Sequence, residues 1–174
     1  MIQIKSIKIK RMKKILVGSN AFFKDFKDFK SKDKDYLIFI DNPEDFKIRK
    51  EICLRGTDIF YYKRLSPIEM INYTLETNNP LLIGKFLVPE VAEELKLSVS
   101  DILPLEPMLS KLDKQHQYQV IIFNHIKNNN SFILTEEQLE EAYQFYISSR
   151  KDKEKEKKRT KKREPIMALF FIVL

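Results

Sequence analysis

Cysteine is nearly absent from this chain: Cys53 is the one cysteine in 174 residues. No internal disulfide can form. With no secretory leader recognisable at the start, the expected home is a reducing cytoplasm. Two histidines and one cysteine are too few for an ordinary zinc site. His116 and His125 stand nine apart on an expected helix. At 100° per residue they fall on opposite sides, so they make no helical metal pair. Cys53, between apolar residues in "EICLRG", reads as buried and inert. Glycine is also scarce, with three residues. Gly84-Lys85 in "LLIGKFLVPE" lacks the first Gly and the Ser/Thr of a P-loop and reads as a turn. No nucleophile elbow and no Ser/His/Asp order is present. The apolar run from Ile166 to Leu174 is nine residues long, well short of the roughly 20 that span a bilayer. No transmembrane segment is expected. That run stays open between a shallow membrane contact, a docked strand and an unusual chain end.

What is present is a core and a basic tail. Hydrophobic residues make up 43% of the chain, enough for one domain with a helical appendage. The net charge is +7, but Arg150 to Glu164 holds ten Lys/Arg against four Asp/Glu, and so carries +6 of it. The body is nearly neutral and is no basic nucleic-acid platform. Mixed Lys/Glu runs of this kind read as a solvated helix extension or a disordered tail, with weak nucleic-acid contact as the sharper alternative.

Periodicity predicts an α+β chain: a small mixed β-sheet core over 1–65, a helical region over 66–149 packed on it, and the tail at 150–174. Alternation at Ile2, Ile4, Ile7 and Ile9 allows an edge strand. "KKILVG" reads as a buried strand, Lys14 to Val17, ended by Gly18. Phe22, Phe26 and Phe29 recur at helical spacing after an N-cap at Ser19 or Asn20, and their stripe reads as core. "DYLIFI", Asp35 to Ile40, is a central strand closed by Asn42-Pro43. "PEDFKIRKEI" reads as a short helix with Pro43 at its first position. "TDIFYYKR" is a third strand, Thr57 to Lys63, introduced by Gly56. Ser66-Pro67 then opens a helix, short helices break at Pro104 and Pro107, and a longer one carries Tyr118, Ile121, Ile122 and Ile126 on one side. Thr135 and Gln138 form a capping box for a last helix that turns Leu139, Ala142, Tyr143 and Tyr146 inward.

The chemistry sits at the strand ends. Asp33 and Asp35 open one strand, two residues apart, on one face and about 7 Å from each other. Two unpaired carboxylates there repel, and a divalent cation removes the repulsion; Mg²⁺ is commonly held by one or two carboxylates plus substrate phosphates. Asp58 opens the next strand, and if the two are neighbours all three carboxylates can converge. Lys34, between the first two, points to the opposite face or pairs with a neighbouring carboxylate. Gly18 permits a sharp turn and close backbone approach, the following helix start offers N–H groups to phosphate, and Ser19 adds a hydroxyl.

Strand, Gly-Ser, helix, Asp-x-Asp leading a strand, then Asp on a later strand resembles the DNA polymerase beta-like nucleotidyltransferase superfamily. The matching positions are Gly18, Ser19, Asp33, Asp35 and Asp58, and the likeness covers about Lys13 to Lys63. The chain is also similar to phage-encoded nucleotidyltransferases of unassigned substrate. The resemblance implies that Asp33 and Asp35 hold two Mg²⁺ (or Mn²⁺) ions. Asp58 would share one and help deprotonate the acceptor, while Gly18 and Ser19 bind the β/γ-phosphates of an NTP such as ATP. It implies transfer of an NMP to a hydroxyl of RNA, protein or a small molecule, with release of pyrophosphate. The alternative is a catalytically degenerate nucleotide- or partner-binding module of the same fold.

Overall fold

The structure, a computed structural model, describes residues 13–30, 33–40, 49–53 and 56–173. The expected edge strand at Ile2 to Ile9 and the Asn42-Pro43 stop lie outside these residues. The first half is a four-stranded mixed sheet. Its strands are β1 (Ile15–Val17), β2 (Lys34–Ile40), β3 (Arg49–Cys53) and β4 (Thr57–Lys63), in the spatial order β1-β2-β4-β3. β1 runs antiparallel to β2, β2 parallel to β4, and β3 antiparallel to β4.

Three of these strands match the expectation, and β3 corrects it. Arg49 to Ile52 are the end of the expected short helix, but Arg49–Cys53 form an edge strand, with Cys53 opposite Thr57. The connection is three residues long and ends at Gly56, whose φ is 70°. A three-residue hairpin with glycine in the left-handed region is a standard way to reverse a strand. Pairing with β4 overrides the helical cues of Pro43 and the acidic residues, because strand formation follows the neighbour more than the local sequence.

One face of the sheet meets the helices. In-register alternation puts Ile15 and Val17 of β1, Leu37 and Phe39 of β2, and Tyr62 of β4 on it, and all five are buried in one core. Helix α1 (Ser19–Phe23) is five residues long, not the longer amphipathic helix that Phe22, Phe26 and Phe29 suggested. Turns follow it, yet Phe26 and Phe29 still pack on the core.

The helical part comprises α2 (Pro67–Thr77), α3 (Leu81–Phe86), α4 (Pro89–Leu95), α5 (Val99–Ile102), 3₁₀ turns at Leu103–Lys111 and Lys114–His116, α6 (Tyr118–Asn129) and α7 (Glu136–Val173). The Ser66/Glu69 capping box starts α2 with Pro67 at its first position. The Thr135 hydroxyl accepts from the Gln138 N–H at 3.2 Å and Gln138 Oε1 accepts from the Thr135 N–H at 3.0 Å, as the sequence predicted. Tyr118, Ile122, Ile126, Ala142, Tyr143 and Tyr146 are buried. The backbone of α7 stays helical through the basic run and the apolar stretch, so Ile166 to Val173 do not form a docked strand. His116 lies in a 3₁₀ turn rather than on α6, and Gly84-Lys85 lies inside α3 rather than in a turn. Among the described residues no helix is long and apolar enough to cross a membrane.

Candidate functional site

The parallel register of β2 and β4 sets Asp35 directly opposite Asp58. Register partners in neighbouring strands point to the same face, and the strands stand about 4.8 Å apart. That face is the core face, since Asp35 precedes Leu37 and Phe39 by two and four residues and Asp58 precedes Tyr62 by four. At this end of the sheet the helices no longer cover it fully, and both aspartates are half-buried. On the other flank Asp35 is opposite Val17, the last residue of β1.

The chain therefore leaves β1 beside Asp35, and Gly18 follows at once. Its backbone, φ 76° and ψ −161°, lies in a region that only glycine adopts readily. A Cβ there would stand 3.5 Å from Asp35 Oδ2, so the carboxylate reaches over the turn. Gly18 is itself the N-cap of α1; Ser19 and Asn20, the expected caps, are its first two helical residues. The buried Asn20 instead donates from Nδ2 to the Asp33 carbonyl at 2.7 Å. This bond ties the segment before β2 to the start of α1. Asp33 is exposed and precedes β2, so strand alternation, which fixes Asp35, does not fix it. Lys34 is exposed, alternates to the opposite face from Asp35, and donates its N–H to the Gly56 carbonyl at 2.7 Å. Among the described residues no group of three or more His, Cys, Asp or Glu side chains is gathered as a metal cluster. The pair that the sheet itself brings together is Asp35 and Asp58.

The helical part adds three side chains that are not among the sequence candidates: Tyr118, Tyr146 and Arg150. Tyr146 Oη of α7 lies 3.5 Å from Ser19 Oγ, and an Arg150 guanidinium N–H donates to Tyr146 Oη at 2.8 Å. The Tyr118 phenol is buried, and burial pushes its pKa up. The neighbouring Tyr146 and Asp35 add to that rise, while Gln119 and Arg150 oppose it. Tyr118 thus stays a neutral hydroxyl in the field of Asp35. By periodicity Tyr118 and Tyr146 are core residues, and Arg150 is the first residue of the basic tail. The available signal was the pair Tyr146/Arg150 at i,i+4, which meets on one helix face.

An aromatic cluster holds this edge together. Phe23 is fully buried, with ring centroids 5.4 Å from Tyr118, 5.2 Å from Tyr143 and 5.3 Å from Tyr146. Phe26 stacks on Tyr143 at 4.6 Å. The short helix after Gly18-Ser19 is thereby fixed against α6 and α7. Lys85 of α3 lies 4.3 Å from the centroid of Phe60, two residues after Asp58.

The remaining sequence candidates are elsewhere. His125 pairs with Glu141 at 2.7 Å, and His116 with Asp113. An open hollow of about 520 Å³ among the helices is lined by Glu106, Gln117, Asn124, Phe145 and apolar neighbours, and it shares no residue with the aspartate edge. No family model, curated protein or solved structure matches the chain.

Proposed function

We propose that this protein is a Mg²⁺-dependent nucleotidyltransferase that moves an NMP from an NTP to a hydroxyl acceptor. One observation carries the reading: Asp35 and Asp58 are register partners on parallel strands, and the carboxylate of Asp35 reaches over the Gly18 turn. Two carboxylates on one face suit a hard divalent cation that takes its other oxygens from substrate phosphates and water. The resemblance to the DNA polymerase beta-like superfamily, in Gly18, Ser19, Asp33, Asp35 and Asp58, is the second support for this reading.

In this reading Asp33, Asp35 and Asp58 are the metal ligands. When bound, Mg²⁺ or Mn²⁺ neutralises phosphate charge and favours in-line displacement at the α-phosphorus. The acceptor hydroxyl oxygen bonds to that phosphorus as the bond to pyrophosphate breaks. Asp58 helps take the hydroxyl proton. Gly18 keeps the turn free of side chain so that phosphate can approach the backbone, and Ser19 offers its hydroxyl to the β/γ-phosphates. The five-residue α1 is too short for a strong dipole, so side-chain cations matter more at this turn than a long helix would require.

The test is NMP transfer from each of the four NTPs with Mg²⁺ or Mn²⁺ to cellular RNA and protein. Asp35→Asn should abolish transfer and leave the circular dichroism spectrum unchanged. Absence of both transfer and metal-dependent NTP binding in the unmodified protein rejects the reading. A binding module without turnover is the second reading, favoured by the Tyr146 hydroxyl standing against Ser19. It predicts metal-dependent NTP binding with no pyrophosphate released.

A further inference from the structure

We propose that Arg150 is the cation that grips the polyphosphate chain at the Gly18-Ser19 turn, delivered there by the last helix. The inference rests on the nucleotidyltransferase reading and deepens it. A triphosphate at this turn meets the carboxylates of Asp35 and Asp58, and like charges there require compensation. The turn has none of its own: residues 18–23 include no Lys or Arg.

Arg150 is placed to supply it. Its guanidinium is joined to Ser19 through one hydroxyl, that of Tyr146. The donors run in one direction: Arg150 N–H to Tyr146 Oη, Tyr146 O–H to Ser19 Oγ. The Tyr146–Ser19 step, at 3.5 Å, is the long one; with Ser19 as acceptor there, its own proton can be given to an anion that enters the turn. Arg150 is exposed, but the hydroxyl it binds is fixed, because Tyr146 is buried between Phe23 and Tyr118, each with its centroid 5.3 Å away. The guanidinium also lies 5.4 Å from the centre of the Tyr146 ring, and its one hydrogen bond here uses one of five N–H donors. Arg64, by contrast, is committed to Glu94 at 2.8 Å. Among the described residues Arg150 forms no salt bridge, and its hydrogen bond goes to the Tyr146 hydroxyl.

The probe is inorganic tripolyphosphate with Mg²⁺, titrated calorimetrically into the full chain. Arg150→Ala is expected to weaken binding roughly tenfold or more, the scale of a lost charge-assisted hydrogen bond. Arg150→Lys, which keeps the charge without the fork, should fall between. Tyr146→Phe, which keeps the ring and loses the relay, should weaken binding less than Arg150→Ala. Arg159→Ala, further along the same helix and exposed, removes equal charge and should change nothing. Equal losses for Arg150→Ala and Arg159→Ala, unchanged binding by Arg150→Ala, or no tripolyphosphate binding by the unmodified protein each overturns the proposal. If NMP transfer proceeds while Arg150→Ala binds normally, this inference fails and the transferase reading stands. If Arg150→Ala loses tripolyphosphate but no NTP supports transfer, the phosphate site stands and the transferase reading fails.

Discussion

Gly18 shows how one residue links backbone strain to the site. A methyl group there would meet Asp35 Oδ2 at 3.5 Å, an ordinary contact. The cost of Gly18→Ala is therefore conformational rather than steric, and a side chain in this backbone region costs on the order of 1–3 kcal/mol. Urea unfolding should show that loss. At Gly84 the balance reverses: its backbone is helical, but a Cβ would lie 2.5 Å from Gln119 Nε2. Glycine is there to let α3 approach α6, which sequence context alone disguised as a turn. Asn20 is the other informative residue. It looked like a helix cap and acts as a long-range tie to the Asp33 carbonyl. Asn20→Ala should destabilise by about 1–3 kcal/mol in urea, because that carbonyl loses a partly buried donor. It should also weaken metal-dependent NTP binding by loosening the segment that carries Asp33.

At the level of elements, local signals and tertiary pairing divide cleanly. Caps were legible because they are reciprocal bonds within four residues. The Ser66 hydroxyl accepts from the Glu69 N–H, and Glu69 Oε2 accepts from the Ser66 N–H. Ser66→Ala should cost about 1 kcal/mol in urea unfolding with little change in activity, since α2 carries none of the candidate site residues. Strand β3 was not legible. Its acidic and proline neighbours signal a helix, and only the edge of β4 makes it a strand. The phenylalanine stripe was read correctly as core and incorrectly as one continuous helix. Phe26 and Phe29 satisfy their burial through Tyr143 and Tyr146 of α7, so no helical turn is needed to hold them in place.

For the molecule as a whole, buried phenols couple stability to alkaline pH. Burial raises the Tyr62 pKa from its ordinary 10.0 to about 12, with Tyr73 adding to the rise; Tyr118 is raised for the same first reason. The folded chain holds these protons more tightly than the unfolded chain does. Their contribution to stability is therefore complete below pH 10 and is lost as pH rises through about 12. Phenolate absorbance near 295 nm should show tyrosines that ionise only as the fold is lost in that window. The far end of α7 makes a different prediction. Past Arg150 every described side chain is exposed. Truncation after Lys151 should leave the urea midpoint unchanged and retain tripolyphosphate binding, whereas truncation after Ser149 should weaken that binding.

By itself the sequence determined the helix starts at Ser66 and Thr135, three of the four strands and the inward faces of the later helices. Each of these follows from spacing within a few residues, and spacing is what a linear chain records; the five positions Gly18, Ser19, Asp33, Asp35 and Asp58 came instead from a resemblance. The tertiary structure alone decided that Asp58 is the register partner of Asp35, because a parallel pairing depends on which strand edges meet across twenty-odd residues. It alone brought Tyr146 and, through it, Arg150 to Ser19, more than a hundred residues distant in the chain, because aromatic packing against Phe23 fixes where α6 and α7 lie.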